Sequence, residues 1–257
     1  DGEIMRNILT LAGKDFRSLA TSPMFCLIAA LCSVMWSFTF LRSLILFAEN
    51  TQATFNPGPS PTLQMTVFLT HISQINLLFV FIVPALTMRL LAEEKKLRTY
   101  DLLLTAPITA TEIALGKFLG AFGVILILVA LSFLYPLATY PIAHFSFPPL
   151  LAAYLGVILV ASTYVAVGVF ASSLTQSVVL SVVMGLVFNL FLWFLSQGAE
   201  SATGLYMTSV LEQISIGDHF MAFIRGSIRL KSIMFLLSCT GLFVFLTQRV
   251  VESSRWR

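Results

Sequence analysis

Long apolar runs broken by a few short polar stretches set the pattern of this chain. No Asp, Glu, Lys or Arg occurs between Glu49 and Arg89, and none from Phe118 to Ala199. A helix needs ~20 mostly apolar residues to cross a hydrocarbon core of roughly 30 Å. The second run therefore holds about three spans. Breaks inside it are legible. Pro136, Pro141, Pro148 and Pro149 bracket a loop near 139–146, and Ser172-Ser173-Leu174-Thr175-Gln176-Ser177 reads as a tight polar turn. The pattern predicts six spanning helices: Met24–Phe47, Leu63–Leu91, Ile113–Ala138, Leu150–Ala171, Ser177–Ser196 and Ser232–Gln248. Open sheet cannot cross lipid with unpaired peptide groups, and the runs lack the alternation of a barrel strand. The expected fold is an all-α membrane protein, one transmembrane domain over 1–257.

Three non-spanning pieces complete it. At 100° per residue, Ile4, Met5, Ile8, Leu9, Leu11, Ala12, Phe16 and Leu19 share one side of a helix. Arg6, Thr10, Lys14 and Arg17 share the other. Residues 4–22 thus predict an amphipathic elbow helix whose Arg6, Lys14 and Arg17 face headgroups. Asp15 is the misfit, an acid inside the apolar arc. Residues 93–108 predict a short amphipathic helix between spans two and three, with a charged start, an apolar stripe and Pro107 as its stop. Thr109-Ala110-Thr111-Glu112 fits a capping box opening span three. Residues 200–231 carry too many charges for a span. They predict one or two short helices in or on the outer leaflet, one capped by Asp218, carrying Phe220, Phe223 and Ile224, and ended by Gly226.

Charge sets the orientation. An even number of spans puts both termini on one side. With termini inside, eleven Lys and Arg residues face the cytoplasm and four (Arg42, Arg225, Arg229, Lys231) do not. The segment before Met24 has neither the apolar core run nor the small-residue site of a cleavable signal. Charged residues make up only 11% of 257, against about 25% in soluble domains. That excludes a soluble enzyme and a nucleic-acid binder. The net charge of +3 does not mark a phosphate-seeking surface, because the charges sit in small clusters.

Candidate chemistry is sparse. GxxxxGK[ST], HExxH and GxSxG are absent, and His71, His144 and His219 lie far apart. No catalytic, cofactor-binding or metal-binding set is expected. Cys26, Cys32 and Cys239 fall within predicted spans as small apolar residues. Spans three to five carry no ionisable group beyond Lys117, which argues against a proton relay and for energy supplied from elsewhere. Gln64, His71 and Gln74 on span two, and Ser181 and Asn189 on span five, either line a path or join helices by hydrogen bonds. Gly116 and Gly120 form one GxxxG, a pattern that permits close helix contact.

EEKKLRTYDLLLTAPI at 93–108, followed by TEIALGKFLGA, resembles the permease subunits of type-two ABC exporters, specifically the gliding-motility-associated branch. Ser172-Ser173-Leu174-Thr175-Gln176 is a second match. His219-Phe220, Phe223, Arg225-Gly226 and the closing Arg255-Trp256 are a third. Together they cover nearly the whole chain in order. Arg98 stands where the family usually has glycine, which argues against a backbone bend there. Asp101 replaces glutamate, and Arg229 lies in a segment that is often acidic.

The resemblance implies a six-span half-transporter in a bacterial inner membrane. Its coupling helix would dock on a separate ATPase through Glu93, Glu94, Thr99, Asp101, Leu102, Leu103, Leu104, Thr105 and Pro107. It implies two ATP-binding subunits holding ATP and Mg, and a second permease chain, identical or homologous. No cofactor in this chain is implied. An ABC-driven scaffold without cargo and an ATP-independent channel are the alternatives.

Overall fold

The computed structural model describes residues 2–53, 63–105, 107–141, 145–201 and 213–254, with backbone alone at 50–53, 64–65, 101–102, 104 and 196–201. Among them there is no strand. The helices are α1 (Gly2–Ala20), α2 (Pro23–Ala53), α3 (Leu69–Thr87, entered through a π-helical turn at Gln64–Phe68), α4 (Ala92–Lys96) and α5 (Tyr100–Thr105). After these come α6 (Ala110–Thr139), α7 (Phe147–Leu174), α8 (Val178–Ser201), α9 (Ile216–Ile224) and α10 (Leu230–Ser254). Six segments are long and apolar enough to cross a membrane, beginning at Pro23, Thr66, Ala110, Phe147, Val178 and Leu230. All six expected spans are present, each within a few residues of its predicted start. The fold is an all-α membrane protein.

Span four is the axis of the bundle. Along α7, nearly every position from Val160 to Val169 is buried. The other spans leave one face bare: Leu27, Leu31 and Phe38 of α2, Val179, Val187 and Phe191 of α8, and Leu237 and Leu242 of α10 are exposed. Lipid tails solvate such faces as well as protein does, so their exposure carries no penalty in a bilayer.

Close packing on α7 depends on small residues. A Cβ on Gly156 would come 2.6 Å from Phe223 of α9, so α9 seats against the first half of α7. Ser162 and Thr163 share hydrogen bonds of 3.1 and 3.2 Å with Thr240 of α10. The Phe223 contact and the Ser172 contacts described below lie toward opposite ends of α7, which defines a far end and a linker end.

The elbow helix packs differently from a simple interfacial helix. Ile8, Ala12, Asp15 and Leu19 of α1 are buried, whereas Ile4, Met5 and Leu9 are exposed. Its apolar arc is thus shared between the protein and the surroundings, with Arg6, Lys14 and Arg17 exposed on the other side. The GxxxG serves this contact: a Cβ on Gly116 would lie 2.8 Å from Leu11, and one on Gly120 would lie 2.9 Å from the Ala12 carbonyl oxygen.

The expected single helix over 93–108 is two short ones. α4 ends at Lys96 with Leu97 as its C-cap, the chain turns through Arg98 with φ 58°, and α5 starts at Tyr100. The Thr99 amide donates to the Glu94 carbonyl at 3.0 Å and the Arg98 amide to that of Lys95 at 3.3 Å. This is a Schellman closure, which needs a left-handed residue one position past the helix. Gly226 closes α9 in the same way: its φ is 77°, and Ser227 donates to Ala222 at 3.0 Å. The bend that arginine argued against is therefore present, and Arg98 takes it without glycine's freedom. The cap of α9 also differs from expectation. Ser215 is the cap and accepts from the Asp218 amide at 3.1 Å; Asp218 sits in the first turn.

Candidate functional site

The polar connection between spans two and three is fastened to three other elements at the linker end. Pro84 lies in the last turn of α3, and the helix stops at Thr87. Beyond it, Ser172 at the end of α7 is fully buried. Its hydroxyl donates to the Met88 carbonyl at 3.0 Å and accepts from the Leu91 and Ala92 amides at 3.1 and 3.0 Å. The same side chain thus substitutes for the hydrogen bonds that a broken helix loses. Lys95 Nζ donates to the Ser173 carbonyl at 2.5 Å and lies 5.0 Å from the centre of the Tyr100 ring. Residues 172–173 are thus the last turn of α7; the turn itself comes at Thr175–Ser177, where the Ser177 amide donates to the Thr175 hydroxyl at 3.0 Å.

The second fastening is ionic. Lys117, two turns into α6, has its side chain 1% exposed. Its ammonium donates to Glu94 of α4 at 2.6 Å and lies 3.2 Å from Asp15 of α1. Exposed Lys14 reaches Glu94 at 3.7 Å. Three elements thus meet on one buried cation. A buried ammonium is tolerable only beside counter-charges, and these two carboxylates supply them. Burial raises the Asp15 carboxyl above its ordinary value, against the opposing pull of Lys117.

The third fastening joins α1 to the start of α6. Glu112 completes the expected capping box with Thr109 and also accepts from the Asn7 side chain at 3.1 Å. Between these contacts lies a cavity of about 490 Å³ lined by Lys14, Arg89, Glu94, Leu97 and Lys117 among others.

The predicted coupling residues part company here. Glu94 turns inward to Lys117. Glu93 forms a two-pronged pair with Arg89 at 2.6 and 2.9 Å. Leu103 packs partly against the core. Thr99, Thr105 and Pro107 are exposed. The side chains of Asp101, Leu102 and Leu104 lie outside the described residues. Leu97, which the pattern did not single out, is 64% exposed between α4 and α5.

The polar residues of the spans are not one path. His71 is buried, its Nε2 donating to the Ser132 carbonyl at 3.2 Å. Phe40 and Tyr135 surround its ring at 5.1 and 5.5 Å between centres, so it joins spans one, two and three. Gln74 lines a cavity of about 460 Å³ with Asn76, Tyr164 and Trp193. Asn189 is fully buried, and neither atom of its amide has a partner among the described residues. The Gln64 side chain, His144, residues 202–212 and Arg255-Trp256 lie outside the described residues.

Lys117 and Asp15 carried signals that sequence reasoning saw singly: one acid in an apolar arc, and one cation in an otherwise uncharged span. Their pairing was invisible because 102 residues separate them.

No curated protein shows significant similarity to the chain. Residues 9–256 match the family described as "ABC-2 family transporter protein", a match over nearly the full length. That family is a membrane transport component and implies an ATP-binding partner. The chain, with its six apolar helices, belongs to the ABC-2 transporter family and is a multi-pass membrane permease subunit of an ABC transporter.

Proposed function

We propose that this permease works in an ATP-driven exporter of the gliding-motility-associated branch, in a bacterial inner membrane, with both termini in the cytoplasm. Two ATPase subunits hold ATP and Mg and grip α4 and α5, and a second permease chain, identical or homologous, completes the pathway. The supporting observation is the fastening of residues 88–95 to three other elements. Ser172 ties the segment to span four, while Lys117 ties it to span three and to the elbow helix. A segment held this way transmits a push as a rigid body and does not deform locally. ATP binding at the partner and cavity opening between permease chains are then coupled energetically.

Within this reading, Leu97, Thr99, Asp101, Leu102, Leu104, Thr105 and Pro107 form the docking surface. Glu94 fastens the lever, and Glu93 with Arg89 stiffens its first turn. Arg6, Lys14 and Arg17 rest on lipid headgroups.

The test is co-purification in detergent of the chain with its ATPase, with ATP turnover measured on the complex. Leu97→Asp is expected to release the ATPase or uncouple turnover while leaving the purified chain folded. Undiminished co-purification and turnover would overturn the docking role. Cargo-dependent turnover supports export, whereas turnover indifferent to every cargo supports a scaffold that passes the stroke to another protein.

A further inference from the structure

The far end of the bundle carries charge that no ion pair among the described residues balances. Arg225 follows α9, and Arg229 and Lys231 flank the start of α10. All three line one cavity of about 470 Å³, with Ser227, His219 and Ser232. Among the described residues none of the three cations forms an ion pair, and Asp218, the one carboxylate among those lining the cavity, pairs with none of them.

Two of these cations stand against the local field. A helix N-terminus is the positive pole of its dipole and ordinarily attracts acids. The first turn of α10 has no acid and carries Lys231, with Arg229 just before it. Cation beside positive pole is an arrangement that an anion relieves.

The floor of the cavity is preorganised. His219 is 6% exposed and Ser232 2% exposed. His219 Nε2 lies 3.2 Å from the Gln213 carbonyl, which can only accept, so that nitrogen carries the proton. Nδ1 then accepts from the Ser232 hydroxyl at 2.9 Å. This fixes the turn entering α9 to the start of α10 and holds the cations around one space. Ile228 and Leu230 alternate along the chain with Arg229 and Lys231, and they are 58% and 73% exposed.

We propose that this cavity binds the phosphate headgroup of an anionic amphiphile, with Arg225, Arg229 and Lys231 on the phosphate and Ile228 and Leu230 against the adjoining hydrocarbon. Arginine and lysine at a helix N-terminus suit a phosphate in charge and in donor geometry. Exposed apolar side chains next in sequence to these cations suit a ligand with a tail. The site lies at the end of the bundle opposite residues 88–105, and its occupancy does not depend on the coupling role proposed above.

The test uses the full chain in detergent, with short-chain phosphatidylglycerol as probe and short-chain phosphatidylcholine and inorganic phosphate as comparisons. Binding is read by native mass spectrometry. Phosphatidylglycerol is expected to bind at least about tenfold tighter than phosphatidylcholine, and to weaken about fivefold for each cation removed. The Arg229→Gln/Lys231→Gln double variant should therefore lose about 25-fold, while Arg42→Gln, the same charge removed elsewhere, should lose nothing. Equal binding of the two lipids overturns the proposal, as does an equal loss in Arg42→Gln. Inorganic phosphate binding as tightly as the lipid overturns the amphiphile. If the double variant fails to fold, Lys231→Gln and a salt titration of the natural chain decide the question. Affinity for phosphatidylglycerol indifferent to salt overturns the headgroup contact.

Discussion

Lys117 Nζ lies 2.6 Å from Glu94 Oε1, a contact that joins the third span to α4 at almost complete burial of the lysine. Removing the cation leaves Glu94 and Asp15 facing one another without it. Lys117→Met is expected to destabilise the purified chain by about 3–5 kcal/mol, the usual penalty for breaking a buried pair at one partner. The Glu94→Lys/Lys117→Glu exchange should recover part of that loss. Thermal unfolding in detergent checks both. A methionine variant as stable as the natural chain would remove the ionic fastening from the account.

Asp15 makes the same region sensitive to pH. Burial raises its carboxyl above the ordinary 3.8. A carboxyl whose folded value exceeds its unfolded value holds its proton longer in the folded chain. Its contribution to stability is fully present below 3.8 and is lost as pH climbs through the raised value. Asp15→Asn removes this titration. Unfolding temperatures of the two chains, measured across acid to neutral pH, should diverge with rising pH to the disadvantage of the natural chain. Parallel curves would count against the effect.

Ser172 satisfies two amides and one carbonyl at the break between spans two and three. Ser172→Ala leaves all three without that partner in a buried place. The expected loss is about 1–3 kcal/mol of stability, accompanied by faster hydrogen exchange at the Leu91 and Ala92 amides than in the rest of α4. Uniform exchange across α4 would show that another group replaces the hydroxyl.

Arg98 occupies a left-handed conformation at φ 58°. That region costs a non-glycine residue roughly 1–2 kcal/mol. Arg98→Gly should therefore stabilise the chain by about 0.5–1 kcal/mol, and Arg98→Val should destabilise it. The pair of unfolding measurements separates backbone strain from charge, because both variants lose the guanidinium.

Gly120 lies under the elbow helix, where a Cβ would stand 2.9 Å from the Ala12 carbonyl oxygen. That neighbour is backbone and cannot rotate away. Gly120→Val is expected to lift α1 from α6 and speed tryptic cleavage after Lys14 and Arg17. Gly13, which has nothing within 4 Å of its added Cβ, should tolerate alanine with no change in cleavage.

Sequence periodicity by itself determined the six spans, because helix is the structure that satisfies a lone chain's peptide groups in lipid and each span is a local run. It likewise determined the capping box at Thr109 and Glu112, whose partners are three residues apart. The elbow helix was legible as an amphipathic pattern, and the resemblance at 93–108 pointed to the segment that the fold fastens. Tertiary structure alone decided what Asp15, Lys117 and Ser172 are for. Each looked like a blemish or a turn in its own neighbourhood, since pattern analysis sees neighbours along the chain and not across the bundle. It also decided that Glu94 turns inward, that GxxxG receives the elbow helix, and that Arg98 bends as glycine would. Charge pairing and close packing act through space over a few ångströms, and folding brings together residues separated by 23, 81 or 102 positions.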